Sequence, residues 1–450
     1  LIWILFDRGS RFGELRKMLK KLKKKKAKLT TTILLLFMSV TGFAQEQEHE
    51  HDNSLLVPKA QIDSIIKANV VSEEHAVRFG ELVVQDAGGR MKPVNTYSSE
   101  LLRKLSKSAE YEGLTSDQVM ISMTENPTMW YNVPVINVKK DNDSIRHITG
   151  IPEDQKYLPL TSFFDREGNY KLSPYLESAY QAAVPNQFQK DFIETDRRVN
   201  LLYNALQGKI LRIFPIPGDP NNKWVSYPEA AEAGFKGMDS LYTQQILPIY
   251  FGALRTAKET GDYTQANELL ESIKGFQKKF GSEVMPSEKQ IQIEILYNKY
   301  DIFQNLFWMY MLAGVFMLFF VIFQIFKDSK VIRTFIGISK VAIVIFFILH
   351  TAGLIARWYI SGHAPWSDAY ESMIYVGWAT MLFGLFFGRK SDLTLASTAF
   401  VTSMIMMIAH WNWMDPSIAN LQPVLDSYWL MIHGHKVEQP AAPHSRNQSH

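Results

Sequence analysis

Four apolar runs lie between residues 305 and 411, at roughly 305–326, 335–356, 370–388 and 393–411, and short charged loops separate them. About 20 apolar residues in helical form cross the hydrocarbon core of a bilayer, so each run has the length of a span or close to it. Inside lipid every backbone N–H and C=O must find its partner within the protein, which leaves helices as the form such runs take. The expected fold is mainly α. It is a polytopic helical membrane protein with about four C-terminal spans, one or two N-terminal apolar segments and a helix-rich extracytoplasmic domain between them. The near-zero mean hydropathy of the whole chain rules out a wholly embedded transporter, because residues 45–303 read as water-soluble.

Charge sets the expected topology. Nine basic residues crowd positions 16–28, the short apolar stretch Thr30–Ala44 follows, and the acidic EQEHEHD comes next. A basic flank, a short apolar run and the small-residue end TGFA fit a signal peptide. The apolar stub Leu1–Phe6 upstream fits instead the end of one helix, a cytoplasmic loop and a short second span. Both readings send residue 45 onward outside, since Lys and Arg stay in. Lys327, Lys330 and Arg333 are then cytoplasmic, as are Arg389 and Lys390, while the loop 357–372 and everything after His410 lie outside.

The chain has no cysteine, which excludes disulfides, Cys-based zinc sites, iron–sulfur clusters and a haem attached to this chain through CxxCH. A net charge of +3, with the basic residues concentrated near the start, speaks to topology and against a nucleic-acid partner.

The outer segment offers little chemistry. HAVRFGELVVQDAGGRMKPVNTYSSELLRKLS (75–106) places a Gly-Gly turn before a helix that Asn95, Thr96 or Ser98 is expected to cap. Such a turn can hold an anion, but no GxGxxG or P-loop lysine accompanies it, and a structural turn is favoured. EHEHD (48–52) reads as a solvated linker rather than a metal site. ANELLESIKGFQKKFG (266–281) has helical spacing with Gly281 as its stop. SEKQIQIEILYNKYDIFQNLFW (287–308) reads as one helix entering the membrane, and residues 130–220, rich in Pro, Asn and Asp, as loops with short elements.

The membrane portion carries more. His350 sits inside the second span, where an ionisable group is costly and by default marks a functional site; a neutral imidazole bonded to a neighbouring helix is the alternative. Arg357, His363, Asp368 and Glu371 share the loop RWYISGHAPWSDAYES with Trp358, Tyr359, Trp366 and Tyr370. Rings, an imidazole and a guanidinium suit the rim of a flat, apolar, anionic ligand, and an interfacial aromatic belt with an ion pair accounts for the same residues. His410 falls at a membrane exit. His433 ends PVLDSYWLMIH, a segment with Val424, Tyr428 and Ile432 on one face at i, i+4 spacing.

At GHAPWSDAYESMIYVGWA (362–379) and LQPVLDSYWLMIH (421–433) the chain resembles the CcsA (ResC) half of the system II cytochrome c biogenesis machinery, particularly fused CcsB–CcsA proteins of Bacteroidetes type. Residues 78–106 look like the outer domain that precedes this half in those fusions, and the resemblance covers roughly 75–433. It implies transport of haem b to the outer face and its presentation to the CxxCH motifs of apocytochrome c, with haem lyase or synthase activity in the complete protein. It implies His433 as an axial haem ligand, no separate catalytic residue, and no metal apart from haem iron. Trp366 matches a family position without an assigned role, and it stands with His350, His363 and Arg357, singled out by their own chemistry, as a secondary candidate for the haem site. The implied partners are apocytochrome c, the remainder of a CcsB–CcsA protein, membrane lipid and a thiol-reducing component. The implied location is the bacterial inner membrane, with the large domain periplasmic. Residues 1–44 are then a truncated membrane segment with a basic loop, 45–303 the extracytoplasmic domain, 304–433 an incomplete CcsA-like region and 434–450 an aberrant polar tail. The family's WWD segment is absent, so this stretch alone is expected to be inactive. The competing function is a membrane-anchored extracytoplasmic receptor or assembly scaffold without haem.

Overall fold

The computed structural model describes residues 59–139, 142–150, 155–410, 414–418 and 420. The N-terminal apolar segments, EHEHD, His433 with its segment and the polar tail lie outside the described residues.

Local chemistry sets the first element boundaries. Between α1 (Lys59–Ala68) and α2 (Glu73–Gly80), the Ser72 hydroxyl caps α2 by accepting from the His75 N–H, and Glu73 and Glu74 favour the same helix end. β1 (Val83–Gln85) and β2 (Met91–Pro93) form an antiparallel hairpin whose turn holds Gly88 and Gly89, the latter at φ 81°. Asp86 Oδ1 fills this turn, accepting from the N–H groups of Gly88 (2.8 Å) and Arg90 (2.9 Å), so the chain supplies its own anion there. α3 (Val94–Ser106) begins directly after Pro93 with no side-chain cap. Asn95, Thr96 and Ser98 therefore lie inside the helix, contrary to expectation. Asn95 and Ser98 turn inward and donate to the buried Asp117, Asn95 at 2.6 Å.

β3 (Glu110–Tyr111) and β4 (Leu114–Thr115) lead into α4 (Ser116–Glu125), which starts with a Thr115–Gln118 capping box. α5 (Asp143–Thr149) lies between the paired strands β5 (Ile136–Asn137) and β6 (Tyr157–Leu158), and α6 (Ser173–Gln181) follows. α7 (Gln187–Leu206) corrects the reading of 130–220 as loops: it is 20 residues long. Asn186 looks like a breaker in sequence but acts as its N-cap, in a box with Gln189. Phe192, Val199, Leu202 and Leu206 then recur at helical spacing and are buried. β7 (Arg212–Pro215) pairs with β8 (Trp224–Ser226). Every sheet among the described residues is two-stranded, so helices carry the architecture.

α8 (Gly237–Thr260) and α9 (Thr264–Gly281) form a hairpin turned at Gly261, φ 77°. Gly281 ends α9 as the sequence predicts, and a Cβ there runs into the Trp224 ring. Phe79, Leu102, Phe192, Leu202, Phe214, Tyr250 and Ile273 belong to the continuous core these helices enclose.

His75 is buried in this core, with Nδ1 2.7 Å from Asn267 Oδ1 and Nε2 2.8 Å from Tyr250 Oη. Asn267 accepts and Tyr250 donates, an arrangement that suits the neutral ring. Burial, helped by the nearby Arg78 charge and opposed by Asn267, holds its pKa below the ordinary 6.5. Protons therefore bind the unfolded chain better. The stability His75 contributes is complete above about pH 6.5 and falls as pH drops through that value toward the folded pKa. The thermal midpoint of the full chain should decline over this window, and His75→Gln should flatten the decline; an unchanged slope removes His75 as its cause.

α10 (Glu288–Tyr300) opens with a Ser287–Gln290 capping box, and α11 (Ile302–Phe326) continues it after a break. Sequence reads 287–308 as one helix. The structure interrupts it at Asp301, which adopts φ 38°, a left-handed conformation that Asp tolerates better than most residues. α10 is bound to the first core by the buried Arg90–Glu294 pair, two bonds of 2.8 Å, and by Asn298, which contacts Ser99 and Asn95.

α12 (Lys330–Ser361), α13 (Ala369–Phe387) and α14 (Asp392–His410) complete a bundle with α11. Four helical segments, with α10–α11 taken as one, are long and apolar enough to cross a membrane. They contain the four runs read from sequence to within one residue, but the first begins earlier, at Glu288, and α12 is longer, from its Ser329 cap to Gly362 at φ 73°. Phe303, Tyr310, Met317, Ile374, Met381 and Met406 pack inside, while Phe316, Phe319, Phe326 and Ile348 face outward. Glycines allow close crossings: a Cβ on Gly314 would lie 2.8 Å from the Phe400 backbone N, and one on Gly384 would overlap Thr398.

Candidate functional site

The end of the bundle nearest the first core gathers most of the polar groups singled out in sequence. The loop between α12 and α13 is shaped by a local motif, Asp368-x-x-Glu371. Asp368 caps α13 by accepting from the Glu371 N–H at 2.6 Å, and Glu371 Oε2 accepts from the Ser367 N–H at 2.9 Å. The remaining carboxylate oxygen, Oε1, takes the Arg357 Nε–H at 2.7 Å, and both side chains are fully buried.

Four of the five Arg357 N–H donors are in hydrogen bonds. Nη1 donates to the Pro416 carbonyl (2.9 Å) and Tyr297 Oη (3.3 Å), Nη2 to the Ser417 carbonyl (3.3 Å), and Asp368 lies 3.7 Å away. The guanidinium also covers the Tyr370 ring at 5.1 Å. It thus pins residues 416–417, beyond the end of α14, onto the loop before α13.

His350 lies two turns deeper on the same face of α12, wholly buried, with Nε2 3.1 Å from the Ile374 carbonyl. A carbonyl only accepts, so Nε2 carries the proton and Nδ1 presents its lone pair. Nδ1 has no partner among the described residues, and neither has the buried Tyr310 hydroxyl, whose ring centre is 6.0 Å from the imidazole. His363 is half-buried, with Nδ1 3.1 Å from Ser367 Oγ and 3.3 Å from the Ala364 carbonyl. Trp366 sits edge-on to Tyr375 at 5.2 Å and, with Trp358, Pro365 and Trp378, lines an apolar cleft of about 290 Å³.

Sequence reasoning gave no site role to a second cavity, of about 760 Å³, lined by Arg103 and Lys104 of α3 and Lys107 just beyond it, by Asp301, and by Tyr370 and His410. His410 Nε2 is 3.9 Å from Asp301. No local pattern announces this convergence of residues some 300 positions apart. The structure brings Arg357, His363 and Trp366 to one loop region, with His350 beneath. His433 is outside the described residues, and no metal-ligating cluster occurs among the described ones.

The apolar exterior of the bundle, its four spanning segments and the relatives below define a multi-pass helical membrane protein. No family model matches the chain. It is similar to the protein NrfI of Wolinella succinogenes, 35% identical over 370 residues, covering 80% of this chain and 40% of that one. Its C-terminal part is similar to the cytochrome c biogenesis proteins CcsA of Lotus japonicus, 35% identical over 105 residues, and of a Synechococcus species, 34% over 101 residues. These cover 21% and 22% of this chain and 31% and 33% of the relatives. The CcsA resemblance read from residues 362–379 and 421–433 therefore stands. The chain spans less than half the length of these relatives.

Proposed function

We propose that this chain is part of a cytochrome c biogenesis protein that carries haem to the outer membrane face and presents it for covalent attachment to apocytochrome c. The similarity of its C-terminal part to CcsA proteins carries the reading. His433 is the proposed axial ligand, on the strength of the SYWLMIH resemblance. The described residues fit such a group in two ways. His350 has one ring nitrogen on a backbone carbonyl and the other without a partner among the described residues, the orientation a ligating imidazole takes. The cleft beside Trp366 offers aromatic surface to a flat apolar ring. Bound haem b supplies the iron porphyrin that is joined to protein thiols.

The chain's own residues hold and orient. Arg357, with two of its hydrogen bonds going to the carbonyls of Pro416 and Ser417, fixes the segment that leads toward His433. Trp366 and Trp358 shield one face of the loop from water, and His363 lines its rim. The proposed partners are apocytochrome c, membrane lipid, a thiol-reducing component and the rest of a CcsB–CcsA protein. The proposed location is the bacterial inner membrane, with residues 45–303 periplasmic. Phosphatase fusions at Lys190 and Asp392 test this location: activity is expected at Lys190 only, and equal signals contradict it.

The function itself is tested in the complete protein, purified in detergent from haem-producing cells. A Soret band is expected. His433→Ala should change that spectrum and lower haem retention on the scale of the about 10- to 100-fold losses seen when a metal-bound histidine loses its support, with added imidazole restoring part. An unchanged spectrum and unchanged cytochrome c maturation withdraw the His433 role. A protein that never holds haem points to the receptor or scaffold.

A further inference from the structure

The cavity of about 760 Å³ between α3 and the end of α14 is lined by four basic side chains, Arg103, Lys104, Lys107 and Lys299, against three acidic ones, Glu100, Asp301 and Asp415. Lys104 meets Asp415 at 3.5 Å and Lys107 meets Glu194 at 3.6 Å, partly exposed pairs that hold their cations weakly. Arg103 donates to a neutral atom, Asn298 Oδ1 at 3.3 Å, and no carboxylate lies within ion-pair distance of Arg103 or Lys299 among the described residues. Three acids line the cavity, and one of them, Asp301, faces His410 at 3.9 Å and lies beyond ion-pair distance of Arg103 and Lys299. Glu100 binds the buried Lys92 at 2.9 Å, and Asp415 accepts from the Ser417 hydroxyl (2.5 Å) and N–H (3.0 Å).

Arg103 is also held in place. Asn298 Oδ1 accepts a second bond from Ser99 (3.0 Å), its amide donates to Asn95 Oδ1 (3.1 Å), and Asn95 donates to the buried Asp117 (2.6 Å). A guanidinium oriented by a neutral relay, with no carboxylate at ion-pair distance, is preorganised for an oxyanion. The floor beneath it is of another character: buried Tyr370 and Ala409, with Met414 beside them.

We propose that this cavity binds the oxyanion of an amphiphilic ligand, a carboxylate or phosphate, through Arg103, with Lys104, Lys107 and Lys299 adding field and the apolar part lying toward Tyr370 and Met414. Two sources share that chemistry: the propionates of a porphyrin and the phosphate of an anionic phospholipid. The porphyrin source rests on the haem reading above; the site does not.

The test uses the full chain with two sets of probes. Iron-free protoporphyrin IX and its dimethyl ester are titrated by fluorescence in phosphatidylcholine nanodiscs, and retention of phosphatidylglycerol over phosphatidylcholine is measured on detergent-purified protein. Without iron no axial bond contributes, so failure here leaves His433 untouched, and failure of His433 leaves this site untouched. Arg103→Gln should weaken binding by about tenfold or more, the scale of a lost charge-assisted hydrogen bond. Lys236→Gln, which removes the same charge from an exposed helix start, should leave binding unchanged. Asn298→Asp places a competing carboxylate beside an intact Arg103 and should weaken binding too, with helicity and thermal midpoint confirming that each variant folds. Arg103-dependent preference for the free acid over the ester identifies a porphyrin, and Arg103-dependent retention of phosphatidylglycerol identifies a lipid. If Arg103→Gln and Asn298→Asp behave like Lys236→Gln with both sets of probes, the site is overturned.

Discussion

Replacing Arg357 by alanine is expected to destabilise the bundle by about 3–5 kcal/mol, the cost of removing one partner of a buried ion pair. Glu371, 1% exposed at its side chain, would be left buried with its cationic partner gone. The carbonyls of Pro416 and Ser417 would lose their donors, and the segment after α14 its attachment. Arg357→Lys separates the two effects. A lysine can still face Glu371, but it lacks the planar fork that reaches two carbonyls as well. Its unfolding midpoint in detergent should therefore lie between those of the native and alanine proteins, while protease cleavage near residues 414–418 should rise in both variants. If Arg357→Ala costs less than the about 1 kcal/mol of an exposed pair, the guanidinium is not the anchor these distances imply.

Gly314→Ala is expected to be destabilising even though alanine is the better helix former. The new methyl group would stand 2.8 Å from the Phe400 backbone N and 3.2 Å from the Ala396 carbonyl oxygen. Backbone atoms cannot swing aside as a side chain can, so α11 and α14 must separate. Overpacking of this kind costs about 1–3 kcal/mol, against about 1 kcal/mol gained in helix propensity, and the net sign is loss. Gly337→Ala on α12 is the control, since a Cβ there meets nothing within 4 Å; it should be neutral or mildly stabilising. Unfolding of both variants in one detergent decides the matter. Equal midpoints would mean that the α11–α14 crossing is not limited by this glycine.

The spans were legible because lipid imposes a length and a composition that need no knowledge of tertiary contacts. The end of α9 at Gly281 was legible for a local reason as well. α7 was not, because Asn186 and the polar residues around it have the composition of a loop and only their hydrogen-bonding roles make them a helix start. Asn95 and Ser98 misled for the complementary reason: residues that cap helices in isolation were drawn inward by Asp117, some 20 positions away. The same distinction runs through the site. Asp368-x-x-Glu371 is a visible capping signature, yet nothing local says that Glu371 also holds Arg357, or that Arg357 spends two more of its donors on residues near 416. Arg103, Asp301 and His410 are brought together by the packing of α3 against the bundle end, and no periodicity encodes that.

The clasp on α10 has a consequence for how such a chain can change over time. Glu294 is 4% exposed and its charge is met by Arg90, while Asn298 contacts Ser99 and Asn95. Each of those partners belongs to the region before residue 107, whereas α10 leads within one residue into the first helix of the bundle. Grafting a foreign domain ahead of α10 would leave a carboxylate and an amide facing whatever surface the newcomer presents. The two halves are therefore not interchangeable cassettes: a substitution at Arg90 or Asn95 is felt by the helix that enters the bundle, and recombination at this boundary succeeds only where both sides of the seam travel together.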